Sequence, residues 1–127
     1  MTNLSSYQDV SAHGALADAS SHEVITQMYR TALTRIAEAK GSIERGETGR
    51  KGEQIGKALA IVEGLLMSLD GEQGGEIAEN LTRLYDYMAR NLVKANLEDD
   101  AAALDEISGL IRELKDGWEA IPVELRT

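Results

Sequence analysis

The sequence predicts an all-α protein, an antiparallel four-helix bundle preceded by a short N-terminal arm or extra helix. Three observations carry this. Strong helix formers (Ala, Leu, Ile, Glu, Lys and Arg) fill nearly every segment. The only proline, Pro122, lies close to the C-terminal end. Apolar residues recur at spacings of three and four in four successive runs, and no long stretch alternates at period two. The 127 residues suit a single domain. The expected division is an arm over residues 1–19, a bundle over 20–122 and a tail over 123–127.

In the arm, Leu4, Tyr7, Val10 and Leu16 are scattered among small polar residues. The first bundle helix is expected to start at Ser20. Ser20 and Glu23 have the spacing at which a hydroxyl caps the first turn and the carboxylate reaches back. Ile25, Met28, Tyr29, Ala32, Leu33, Ile36, Ala39 and Ile43 then form its apolar face, ending near Arg45-Gly46. The second helix spans about Thr48 to Leu69. Ile55, Leu59, Val62, Leu66 and Leu69 make one stripe; Ala58, Ile61 and Leu65 make an adjoining one. That face is wider than a two-residue seam requires, so the helix is either central or offers apolar surface to something outside. Gly71 reads as its stop. The third helix runs from about Gly75 to Leu97 on Ile77, Leu81, Leu84, Met88, Leu92 and Ala95, with Tyr85 and Val93 beside them. Asp99 or Asp100 suits the start of the fourth. Its seam is Leu104, Ile107, Ile111, Leu114, Trp118 and Ile121, and Pro122 ends it.

Composition excludes several functions. Without cysteine there is no disulfide, zinc-thiolate site or thiol catalysis. The formal charge of -9 opposes nucleic-acid binding. Glu44, Glu47 and Glu53 interrupt the nearest approach to a basic cluster, at Arg45, Arg50, Lys51 and Lys57. No apolar run is long enough to insert into a membrane, and Met1-Thr2-Asn3-Leu4 does not begin a secretory signal, so a cytoplasmic location is expected. Neither histidine, His13 or His22, follows a glutamate by three residues, as a di-iron bundle site requires. His22 reads as a partly exposed residue of the first helical turn; a phosphorelay histidine, in a phosphotransfer-type bundle, is the sharper alternative. Gly41, Gly46, Gly49 and Gly52 lie near Lys51 but lack the order of a phosphate loop and read as an interhelical turn. No catalytic constellation, metal site or cofactor motif is present, so a non-enzyme is expected. A bundle that only self-associates is a third reading.

A set of ordered segments resembles the FliS family of flagellin-specific export chaperones. Tyr7 with Val10 resembles the family's N-terminal Tyr-x-x-Val. Ala19-Ser20-Ser21-His22 resembles the start of its first long helix, with Ser21 where proline is usual. Met28-Tyr29 with Ala32-Leu33 resembles the next segment, although Arg30-Thr31 stand in place of Asp-Gly. Ile55-Gly56-Lys57-Ala58 and Ile61-Val62-Glu63-Gly64-Leu65 resemble the second helix. Glu76 to Leu81, Leu84-Tyr85-Asp86-Tyr87-Met88 and Ala95-Asn96 resemble the third, and Trp118 the tryptophan closing the fourth. The resemblance implies a cytosolic chaperone that holds the disordered C-terminal segment of flagellin. It prevents premature polymerisation and keeps the subunit competent for type III export, with export-gate components as a further partner. The client surface expected on this basis comprises Ile55, Ala58, Leu59, Ile61 and Val62 of the second helix and Tyr85, Met88 and Leu92 of the third. Tyr7 and Val10 are expected to cover the groove when the client is absent.

Overall fold

The structure, a computed structural model, describes residues 20–69 and 71–125, with the main chain alone at 71–73. The expected arm and final tail residues lie outside this range. Four helices follow in order: α1 (Ser21–Arg45), α2 (Thr48–Met67), α3 (Gly71–Glu98) and α4 (Ala101–Glu119), then a 3-10 turn at Val123–Leu125. The described residues contain no strand. The links are a few residues long, so each helix reverses on the one before it. Each packs on its chain neighbours, and α4 closes the ring on α1. Lys40 of late α1 pairs with Asp105 of early α4 at 2.9 Å, as antiparallel running requires.

The core sits on the ring axis. Ile36 and Ala39 of α1, Ile55, Ala58 and Val62 of α2, Met88, Leu92 and Ala95 of α3, and Leu104, Ile107 and Ile111 of α4 are buried. Fully burying one such Leu, Ile, Val or Met contributes about 1.5–3 kcal/mol. On α2 the stripe that goes inside is Ile55, Ala58, Val62 and Leu65, while Leu59 and Leu66 stay half-buried on the flank. On α3, Tyr85 is buried although the sequence sets it beside the seam, and Ile77, expected on the seam, is exposed. Ala78, one position on in the same turn, takes the buried place and turns Ile77 outward.

Local chemistry sets the helix limits. Ser20 caps α1: its hydroxyl accepts the Glu23 N–H at 3.1 Å. The α1 C-terminus closes on Gly46 in the left-handed region (φ 71°), with Gly46 N–H to Ile43 O and Glu47 N–H to Ser42 O. Gly46 alone of the first glycine group makes the turn. Gly41 lies within α1, and Gly49 and Gly52 lie within α2. Gly71 does not stop α2, which ends at Met67 with Ser68 as its C-cap; it opens α3 instead. The backbone break falls at Gly75 (φ 55°, ψ -131°), a conformation open to glycine, so the regular part of α3 starts just after it. Asp100 caps α4 by accepting the Ala103 N–H at 3.0 Å.

The corner between α3 and α4 turns on Asp99, a non-glycine residue with φ 52°. Asp100 N–H reaches back to Ala95 O at 3.1 Å, the long bond of a left-handed helix stop. Glycine is usual at such a position, and the side chain explains why aspartate serves here. Lys51, buried at the start of α2, donates to Asp99 Oδ1 at 2.5 Å and to Asn96 O at 2.8 Å. One ammonium thus holds the strained residue and satisfies a carbonyl of the last turn of α3. We expect Lys51→Ala to lower stability by about 2 kcal/mol, the scale of charged hydrogen bonds. Asp99→Gly loses the ion pair but relieves the backbone, so it should cost less. Urea unfolding checks both; equal losses would remove the distinction.

Candidate client-binding cleft

At the end of the bundle where α1 and α3 begin and α2 and α4 stop, the helices leave an apolar cleft of about 740 Å³. This is within the size range of ligand pockets. All four helices contribute. Tyr29, Leu65 and Tyr85, each nearly inaccessible, form the floor. Ile25, Leu69, Leu81, Leu114, Trp118 and Ile121 make the walls, and the exposed Glu113 stands on the rim.

These residues share a cause. They are seam residues near the helix ends, and among the described residues no further core layer lies beyond them. The seam continues to the helix ends, past the last described layer of the core.

One side of the cleft is fixed by a reciprocal contact between α1 and α4. The rings of His22 and Trp118 stack with centroids 4.8 Å apart and planes 6° apart. Trp118 Nε1–H donates to His22 O at 2.9 Å. His22 Nε2 lies 2.6 Å from Trp118 O. A carbonyl can only accept, so Nε2 carries the proton. His22 is therefore buried, not partly exposed as expected from its place in the first turn. The tryptophan covers it, and sequence spacing alone could not bring residues 22 and 118 together. The same contact removes the accessibility a phosphoryl-accepting histidine needs. His13 lies outside the described residues.

The floor carries a polar pair. Tyr29 and Tyr85 meet hydroxyl to hydroxyl at 2.7 Å. Burial pushes the Tyr29 phenol above its ordinary pKa, against the opposing effect of its bond to Tyr85. Tyr85 is raised strongly, first by burial and then by the bond to Tyr29. Both remain protonated at physiological pH.

Of the residues expected at the client surface, Tyr85 lines the cleft. Leu59 and Ile61 are half-buried on the two flanks of α2. Ile55, Ala58, Val62, Met88 and Leu92 are enclosed in the core, none more than 1% exposed. Tyr7 and Val10 fall outside the described residues. The structure adds Tyr29, Leu81, Leu114 and Trp118 to Tyr85. The sequence signal for this group is position: each wall residue is a seam residue within a few turns of a helix end. Among the described residues, no three His, Cys, Asp or Glu side chains converge as metal ligands. No helix there is long and apolar enough to cross a membrane.

An all-helical bundle with an apolar cleft has the form of a module that binds other chains. Comparison with known proteins gives the same class. The family model described as flagellar protein FliS matches residues 1–124. Flagellar secretion chaperone FliSB of Pseudomonas aeruginosa is 45% identical over 121 residues, covering 95% of this chain and 96% of its own. Flagellar secretion chaperone FliS of Salmonella typhimurium is 40% identical, over 94% of this chain and 90% of its own. The Bacillus subtilis FliS is 32% identical over 76% of this chain. The chain belongs to the FliS family of flagellar secretion chaperones, and its role is that of a chaperone in flagellar export, not of an enzyme.

His22→Ala should cost about 1–2 kcal/mol, from loss of ring stacking and one hydrogen bond. It should also shift the emission of Trp118, the sole tryptophan, to longer wavelength. Thermal unfolding and fluorescence spectra check this; an unchanged spectrum would show that the stack does not hold the indole.

Proposed function

We propose that the protein is a cytoplasmic chaperone that binds the disordered C-terminal segment of flagellin, keeping it unpolymerised and competent for type III export. The apolar cleft is the observation that carries this reading. Flagellin assembles by pairing amphipathic terminal helices, and a bundle with uncovered apolar surface offers those helices a substitute partner. Membership of a flagellar secretion chaperone family supports a secreted flagellar client. Coupled folding and binding of this kind buries roughly 1,000–3,000 Å² and costs about 2–5 kcal/mol in ordering the client. That cost allows a complex to be specific and still release its cargo at the export gate.

Direct contacts are assigned to Tyr85 in the cleft and to Leu59 and Ile61 on the flanks of α2. Ile55, Ala58, Val62, Met88 and Leu92 support them from inside. Tyr7 and Val10 are assigned to an arm that competes with the client.

Titration calorimetry with a flagellin C-terminal segment should give a one-to-one complex of micromolar affinity or tighter. The complex should also suppress filament formation by purified flagellin. Absence of binding together with normal polymerisation would end the proposal. Deleting residues 1–12 should change client affinity while leaving the melting temperature nearly unaltered; an unchanged affinity would remove the arm from the mechanism.

A further inference from the structure

The tyrosine pair on the cleft floor holds one more donor than it uses. Each phenol carries one O–H proton. In the 2.7 Å contact one hydroxyl donates and the other accepts, so the acceptor's own proton is left over. Among the described residues neither hydroxyl has another hydrogen-bond partner. Both side chains are buried, at 4% and 2% exposure, and both line the cleft. A buried donor without an acceptor is costly, and a pair of phenylalanines would fill the same space without that cost.

We propose that this leftover O–H is the polar recognition point of the cleft, donating to a main-chain carbonyl of the segment that occupies it. The surroundings select the acceptor. Leu65, Leu81, Leu114 and Trp118 make an environment that disfavours a charged oxygen, and Glu113 on the rim repels one. A neutral carbonyl fits. Within a regular helix each carbonyl already accepts from the N–H four residues on, whereas the last four do not. The cleft therefore favours a client segment that presents the C-terminal turn of an apolar helix over one whose helix continues unbroken. This rests on the client reading above and names what that site recognises.

The test is a cycle of Tyr29→Phe, Tyr85→Phe and the double variant in the full chain. Affinity for the flagellin C-terminal segment and the melting temperature are measured for each. Either single variant keeps one phenol free to donate, so affinity should stay within about twofold of the parent. The double variant has no donor and should bind about five- to tenfold more weakly. Stability should follow a different order. A single variant breaks the pair and leaves one buried hydroxyl alone, so it should melt lowest; the double variant, with both hydroxyls gone, should recover. A purely structural pair would move affinity only in step with melting. If the parent binds and the double variant binds equally well, the recognition proposal falls and the client reading stands. If the parent itself does not bind, both fall.

Discussion

A ring of four antiparallel helices can enclose its middle but not its ends. In the middle, every inward side chain meets neighbours from the other helices, as Ile36, Ile55, Leu92 and Ile107 do. At an end, the four helices themselves supply no layer beyond. The rest of this structure depends on how each end meets that constraint. The end holding the α1–α2 and α3–α4 corners is closed by polar chemistry. Ser42 donates to Gln54 at 2.8 Å, and Lys51 reaches across to the last turn of α3. The opposite end continues the apolar seam outward and yields a cleft. The fold thus separates an end closed by polar contacts from an end that carries an apolar cleft, the site proposed for the client.

That division gives physical sense to a chaperone of this size. A cleft built from the ends of core seams, as the proposed client site is, needs no dedicated element, because the pattern that folds the bundle also supplies its apolar walls. The floor is held by a hydroxyl pair and one wall by the His22–Trp118 contact, so the shape is defined before any client arrives. The net charge of -9 keeps the chain away from polyanions.

Most of the fold could be read from sequence. Helix-period spacing located four helices, and Ser20, Gly46 and Asp100 marked their limits through ordinary cap chemistry. The glycines around position 71 misled because a glycine can end one helix or open the next, and the backbone torsions at Gly75 decided which. The site was legible only in part. Tyr85 was named, but its neighbours Tyr29, Leu81 and Leu114 were read simply as seam. Periodicity reports which face points inward; it does not report whether a further layer covers that face. For α2 the broad apolar face allows either a central helix or a surface turned outward, and Ile55, Ala58 and Val62, expected at the client surface, go to the interior because α2 packs against both α1 and α3. The burial of His22 and the clasp on Asp99 came from contacts between residues far apart in the chain, which spacing rules do not address.

The His22–Trp118 contact also makes the cleft lopsided. Two hydrogen bonds and a ring stack rivet the start of α1 to the end of α4. Among the described residues no side-chain bond spans the end of α2 and the start of α3, where glycines and a broken backbone turn lie instead. Among the described residues, specific side-chain bonds thus tie the α1–α4 side of the cleft and not its α2–α3 side. For the client proposed above, the α1–α4 side is the fixed edge against which a bound segment would be gauged.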